Sequence, residues 1–145
     1  MDKPDFSAPE MGLREDSVQS VLVVEDSATM RSLIASTLEE IGGPVKITEA
    51  ASGFEALRLL PRESYDLIVT DINMPDINGL ELVSFVKGNQ AYCSIPLIII
   101  STESSDRDRE KGLGLGADAY LVKPFDPDDL LGIARDLLPG FRQDG

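Results

Sequence analysis

Five short apolar runs, separated by helical patterns, constrain the fold of this chain more than any other feature. They start 22 to 30 residues apart, at residues 21, 45, 67, 97 and 120. Four of the runs are continuous and mostly β-branched, which is typical of strands covered on both faces of a parallel sheet. The second run, residues 45–50, alternates between apolar and polar residues, and this pattern indicates a partly exposed edge strand.

Helical patterns fill the gaps between these runs. The first helix has apolar residues at helical spacing on one face, namely Met30, Leu33, Ile34, Leu38 and Ile41. Ser27 is a candidate N-cap for it, and Asp126 followed by Pro127 is typical of the start of the last helix. Residues 105–116 contain three glycines, and each costs roughly 1 kcal/mol relative to alanine in a helix. We therefore expect the fourth helix to be mobile or irregular.

Alternation of strand and helix implies right-handed crossovers and a parallel sheet. The sequence therefore predicts an α/β fold of flavodoxin-like, doubly wound type, with five strands in the order 2-1-3-4-5 and five helices. This order puts the alternating second strand at an edge. We expect one domain over residues 19–139, a flexible acidic N-terminal tail over residues 1–18 and a short C-terminal tail over residues 140–145.

Composition excludes several classes of function. With 26 acidic and 13 basic residues the net charge is −13, so we expect neither nucleic acid nor an anionic membrane as a partner. Histidine is absent and there is one cysteine, which excludes Ser-His-Asp catalysis and zinc sites of the usual kind. No apolar run is long enough for a membrane span and no signal peptide is evident. We expect a cytoplasmic protein.

Polar residues follow the apolar runs at positions where strands end. They are Glu25 and Asp26 after the first run, Asp71 after the third, Ser101 and Thr102 after the fourth, and Lys123 after the fifth. Ligands of open parallel sheets bind at the carboxyl ends of the strands. These side chains are therefore expected to converge at one edge of the sheet.

A cluster of carboxylates needs compensating cations, because ionised neighbours disfavour one another. Oxygen ligands favour a hard divalent cation, which predicts Mg²⁺, with Mn²⁺ as an alternative. Asp26 and Asp71 are the expected ligands, helped by Glu25 directly or through water. The backbone carbonyl of Asn73 is a further candidate. A carboxylate at such a site can also act as a nucleophile toward phosphorus.

Each of these residues also has an ordinary structural interpretation. Glu25 and Asp26 could cap the helix that follows them, and taken alone this interpretation is favoured. Asp71 could be a turn residue, and Lys123 a solvated loop residue. Their coincidence at successive strand ends is the feature that favours a functional site.

Four segments of the chain show a resemblance to a known family. The segments VLVVEDSATMR, DLIVTDINMPDINGLEL, PLIIISTES and GADAYLVKPF resemble the response-regulator receiver family of two-component signalling. The likeness covers residues 20–138, and the ordered set is more specific than any one motif. It implies a CheY-like receiver fold.

The resemblance implies a role for each acidic residue of the site. Asp71 corresponds to the phosphoacceptor, and Glu25 and Asp26 correspond to the acidic pair at the magnesium site. Lys123 corresponds to the lysine that contacts the phosphoryl group, and its bond to Pro124 is typically cis in this family.

The same resemblance implies switch and tuning residues. Ser101 matches the switch hydroxyl and Tyr120 the switch aromatic, which is expected to move inward on phosphorylation. Asn73 and Glu103 flank the approach of the hydrolytic water, and this pair implies a short-lived phosphoryl group. Thr102 is bulkier than the Ala or Gly common there, so we expect it to narrow access and slow both reactions.

The function expected from the sequence is that of a single-domain response regulator. A sensor histidine kinase or a phosphotransfer protein would donate to Asp71. The output would be a changed protein-binding surface of the fourth helix, fifth strand and fifth helix, since too little chain follows Leu138 for an output module. We expect no enzymatic activity beyond self-catalysed phosphorylation and dephosphorylation.

Three alternatives stay open from the sequence. One is an intermediate or phosphate sink in a phosphorelay. A second is a magnesium-dependent phosphohydrolase, although such sites usually have an Asp two residues after the nucleophile, where this chain has Asn73. The third is a pseudo-receiver that only binds partners, which the intact set of site residues disfavours.

Overall fold

The computed structural model describes residues 18–141 as five strands alternating with five helices. The strands are β1 (Gln19–Val24), β2 (Val45–Ala50), β3 (Leu67–Thr70), β4 (Leu97–Ser101) and β5 (Ala119–Val122). The helices are α1 (Ala28–Glu39), α2 (Gly53–Leu59), α3 (Gly79–Lys87), α4 (Asp106–Gly114) and α5 (Pro127–Leu137), and a 3₁₀ turn (Leu60–Arg62) continues α2. Most of both predicted tails lies outside the described residues, and the domain boundaries stay a prediction.

The strands form one parallel sheet in the order β2-β1-β3-β4-β5, which confirms the predicted fold and strand order. The edge strand β2 is only partly buried, whereas every residue of β3 and β4 is buried. The difference matches the sequence patterns, because a central strand is covered on both faces and an edge strand is not.

Two hydrophobic layers cover the sheet. Val21 and Val23 of β1 face the layer that contains α1 and α5, while Leu22 and Val24 face the layer that contains α2 and α3. Successive side chains of a strand point to opposite faces, so each apolar run supplies both layers. The packing of helices on both faces of the sheet fixes the positions of the five strand ends.

Helix α4 is a continuous α-helix with Ser105 as its N-cap, so the expectation of an irregular helix is wrong, while its mobility stays a prediction. A Cβ at Gly112 would lie 2.7 Å from Ile99 Cδ1 and 3.3 Å from the Tyr120 ring. The glycine therefore lets the helix lie close against the sheet, and this packing offsets its low helix propensity.

None of the helices within residues 18–141 has the length and apolar character needed to cross a membrane. The longest, α1, has 12 residues, whereas a span needs roughly 20. The cytoplasmic location stays a prediction.

Gly79, the first residue of α3, is required by a close approach of two backbone segments. A Cβ there would overlap the carbonyl oxygen of Asp71 and lie 2.7 Å from Ile72 Cα. The Gly79 amide also donates to the Ile72 carbonyl at 2.7 Å. This glycine therefore closes the base of the loop that follows β3.

We expect Gly79→Ala to lower the free energy of unfolding by about 2 kcal/mol, because the backbone must move to make room for a methyl group. Gly132→Ala is the matched control, since Gly132 lies in α5 with open space around it. That variant should gain about 1 kcal/mol from helix propensity. Urea unfolding followed by circular dichroism measures both, and equal effects of the two substitutions would contradict the steric argument.

Candidate functional site

The carboxyl ends of the strands bring three acidic side chains together. Glu25, Asp26 and Asp71 each offer a carboxylate oxygen, and these oxygens all lie within 4.8 Å of one another. Glu25 and Asp71 are buried, whereas Asp26 is exposed. The loops that carry them are aligned by the sheet: Glu25 N donates to the Ala50 carbonyl and Asp71 N to the Val24 carbonyl.

Lys123 is the cation of this cluster. Its Nζ lies 2.8 Å from Glu25 Oε1 and 3.3 Å from Asp71 Oδ2. The backbone N–H of Lys123 donates to the Ser101 carbonyl at 2.8 Å, and the Lys123–Pro124 bond is cis. The fifth strand end therefore brings an ammonium group to the carboxylates, as the sequence predicted.

Burial and pairing act in opposite directions on these groups. Burial raises the pKa of Glu25, and the bond from Lys123 offsets only part of this effect. Burial alone would lower the pKa of Lys123, but the hydrogen bond to Glu25 and the charge of Asp71 raise it above its usual value. Lys123 is therefore held in its charged form, while burial continues to disfavour the charged form of Glu25.

The donor set fits a hard divalent cation. All three clustered ligand atoms are carboxylate oxygens, which Mg²⁺ and Mn²⁺ prefer. Three carboxylates and one ammonium leave two uncompensated negative charges. One Asp71 oxygen, Oδ1, accepts a hydrogen bond from Ile72 N at 2.7 Å, which orients the carboxylate. The Asn73 carbonyl stays a predicted ligand.

Arg31 supports the acidic loop, a role that no sequence pattern predicted. Its Nη1 donates to the Glu25 carbonyl at 2.8 Å, and its Nε to Glu49 Oε1 at 3.1 Å. The guanidinium therefore links the loop after β1 to the edge strand β2. Arg31 lies one turn of α1 after the Ser27 N-cap, and from there a basic side chain can reach back to the loop after β1. This position is the only feature of the sequence that indicates the contact.

Ser101 and Tyr120 hold the same residue from two sides. Ser101 Oγ accepts from Glu103 N at 3.0 Å, and the Tyr120 hydroxyl donates to the Glu103 carbonyl at 2.7 Å. The Tyr120 residue is 4% exposed, so it already occupies an inward position. Burial raises the pKa of Tyr120, which keeps its hydroxyl a donor. The backbone of Glu103 therefore joins the two predicted switch residues.

Two of the three predicted tuning residues are in contact. Asn73 Nδ2 donates to Glu103 Oε2 at 3.1 Å, and this bond joins the loop after β3 to the loop after β4. Thr102 lies between Ser101 and Glu103 and is exposed. The predicted site residues thus lie on the loops and strand ends at one edge of the sheet, except Tyr120, which lies within β5.

Comparison with known proteins agrees with this arrangement. A sequence model of the response regulator receiver domain matches residues 21–135. Over 119 residues the chain is 40% identical to a chemotaxis protein CheY homolog of Campylobacter jejuni, and the match covers 81% of this chain and 91% of that protein. The structure of the Vibrio cholerae chemotaxis protein CheY4 is similar with a TM-score of 0.74 and 36% identity, covering 83% of this chain and 99% of that one.

One relative is about twice as long as the matching region. The chain is 39% identical over 118 residues to the probable transcriptional regulator ycf29 of Pyropia yezoensis, and the match covers 81% of this chain but 52% of that protein. The matching region therefore spans nearly the whole of one relative and about half of another.

The parallel five-stranded sheet with an acidic cluster and a lysine at its strand ends lies within the match to a receiver domain, which is a signalling domain rather than a classical enzyme. The chain belongs to the response regulator receiver family of two-component signalling, and it is CheY-like.

The raised pKa of Glu25 predicts how the stability of the metal-free protein depends on pH. Because the folded pKa lies above the usual value of 4.5, the folded state favours the protonated acid, and ionised Glu25 lowers stability at neutral pH. We expect Glu25→Gln to raise the free energy of unfolding at pH 7 in EDTA. The gain should vanish as the pH falls below 4.5, where Glu25 is protonated in both states.

Urea titrations at several pH values measure this difference, with Glu110→Gln on the exposed surface of α4 as the control. Added Mg²⁺ should stabilise the wild-type protein more than Glu25→Gln. A loss of stability in Glu25→Gln at neutral pH would show that the pair with Lys123 outweighs the cost of burying the carboxylate.

Proposed function

We propose that this receiver domain accepts a phosphoryl group on Asp71 from a histidine kinase or a phosphotransfer protein, with Mg²⁺ bound at Glu25, Asp26 and Asp71. One observation carries the proposal: Lys123 Nζ lies 3.3 Å from Asp71 Oδ2 inside a cluster of carboxylates. A buried acid beside a fixed ammonium and an oxygen-rich cation site is the arrangement that phosphoryl transfer to a carboxylate requires.

The two oxygens of Asp71 have different surroundings. Oδ1 accepts the Ile72 N–H, and Oδ2 faces Lys123. In the proposed step, an Asp71 oxygen forms a bond to phosphorus as the phosphorus–nitrogen bond of the donor phosphohistidine breaks, and the imidazole leaves. Lys123 neutralises charge on the phosphoryl oxygens. Bound Mg²⁺ would supply further charge neutralisation at the same oxygens.

The signal would then pass through Glu103. A phosphoryl group at Asp71 would attract the Ser101 hydroxyl, whose oxygen accepts a hydrogen bond from Glu103 N. The loop after β4 then shifts, and Tyr120 follows because its hydroxyl is bonded to the Glu103 carbonyl. Since Tyr120 lies in β5 beside α4, the affected region is the surface formed by α4, β5 and α5. This is a local charge change that biases a two-state element.

The target of this surface is proposed to be another protein. The CheY-like relatives support a role in a chemotaxis-like system. A relay intermediate or phosphate sink uses the same chemistry on Asp71 and differs only in the later fate of the phosphoryl group. A phosphohydrolase is disfavoured, because Asn73 stands where an acid–base aspartate would be expected.

We expect incubation with acetyl phosphate and Mg²⁺ to add one phosphoryl mass to the intact protein, measured by mass spectrometry. Asp71→Asn should abolish the gain, because the amide is a poor nucleophile toward phosphorus. Asp136→Asn, on the exposed face of α5, is the matched control and should behave as wild type. If neither acetyl phosphate nor any histidine kinase increases the mass of the protein, the pseudo-receiver interpretation is favoured.

Thr102→Ala tests the tuning of access to the site. We expect the smaller side chain to increase both the rate of phosphorylation and the rate of phosphoryl loss. The reason is that Thr102, between Ser101 and Glu103, narrows the access of the phosphodonor and of water to Asp71. The decay of the phosphorylated protein, followed by mass spectrometry after removal of donor, gives the second rate. Unchanged rates in both directions would show that the Thr102 side chain does not limit access.

A further inference from the structure

The backbone N–H groups at the start of helix α2 find hydrogen-bond acceptors in two different parts of the chain. Ser52 Oγ accepts from Glu55 N at 3.1 Å, and Glu55 Oε1 accepts from Ala51 N at 2.6 Å. This reciprocal pair resembles a capping box. It leaves the backbone N–H groups of Gly53 and Phe54 without a partner inside the helix.

Asp76 supplies those two partners from the loop after β3. Its Oδ2 accepts from Phe54 N at 2.9 Å and its Oδ1 from Gly53 N at 3.2 Å. Oδ1 also accepts from Ile77 N at 2.7 Å. These backbone bonds, led by that from Phe54, lower the pKa of Asp76 to about 2, so the carboxylate stays charged. A carboxylate at a helix N-terminus is also favoured by the helix dipole.

The loop that Asp76 belongs to, residues 72–78, runs from the Asp71 site to α3. Its base is closed by the bond from Gly79 N to the Ile72 carbonyl, and Asn73 ties it to Glu103. On the side of α2, a Cβ at Gly53 would lie 2.5 Å from Ile77 Cγ2, so the helix and the loop touch there. Asp76 is the residue that bonds this side of the loop to α2.

We propose that Asp76 is a positioning residue for the Asp71 site, which clamps the loop over residues 72–78 to the N-terminus of α2. This inference rests on the proposed function, since the clamp is proposed to hold the metal-binding site at Asp71 in place. Ile72, whose N–H orients the Asp71 carboxylate, and Asn73, whose carbonyl is a predicted ligand, both lie in the clamped loop. Residues that orient metal ligands without touching the metal are often nearly as important as the ligands.

The test compares Asp76→Ala with Ser52→Ala. Both remove an acceptor from the start of α2, but only Asp76 belongs to the loop. Two measurements are made on the full chain without phosphodonor: the affinity for Mg²⁺ by calorimetry, and amide hydrogen exchange by NMR at Ile72 and Gly79 in EDTA. Asp76→Asn, which keeps one acceptor oxygen, is a milder variant in case Asp76→Ala does not fold.

We expect Asp76→Ala to weaken Mg²⁺ binding by about tenfold and to speed exchange at Ile72 and Gly79. Ser52→Ala should change neither, and Asp76→Asn should fall between Asp76→Ala and the wild type. Equal effects of Asp76→Ala and Ser52→Ala would overturn the proposal, as would faster exchange with unchanged Mg²⁺ affinity, because Asp76 would then be only a helix cap.

Failure of this inference is distinguishable from failure of the proposed function. Exchange at the two amides is measured without metal or donor, so it reports on the clamp alone. Phosphorylation of the wild-type protein on Asp71 is a separate measurement. If the wild-type protein is phosphorylated on Asp71 while Asp76→Ala binds Mg²⁺ normally, the positioning role of Asp76 is refuted and the proposed function is kept.

Discussion

The ammonium of Lys123 between Glu25 and Asp71 is the interaction on which the candidate site depends. A parallel sheet brings the carboxyl ends of β1 and β3 side by side, so carboxylates placed there cannot avoid one another. Lys123 lies at the end of β5, two strands away from β3 in the sheet, and compensates part of their charge at 2.8 and 3.3 Å. Without a cation at this edge, two buried carboxylates would repel each other at short range.

The fold and the placement of the candidate site residues at the strand ends were predictable because both depend on local patterns. Continuous apolar runs predicted covered strands, alternation in β2 predicted the edge, and the rule that sites lie at strand ends selected Asp71 and Lys123. The regularity of α4 was missed, since propensity counts the cost of Gly112 but not the close contact with Ile99 that the glycine permits.

The supporting contacts could not be predicted from the sequence, because their partners are backbone atoms brought together by the fold. Asp76 bonds to N–H groups 22 and 23 residues away, and Arg31 bonds to the carbonyl of Glu25. Every residue carries the same backbone groups, so the residue types in the sequence do not indicate which backbone group a side chain will bond to.

Side-chain hydrogen bonds join two loops at the carboxyl edge and the start of α2 into one network. Asp76 links the β3–α3 loop to α2, Asn73 links it to Glu103, and Glu103 is bonded in turn to Ser101 and Tyr120. In the proposed function, a charge added at Asp71 would act on a loop that is held at both of these points. The bonds through Glu103 would carry its effect to Tyr120, and a bound cation would offset part of the cost of burying Glu25, whose pKa is raised by burial.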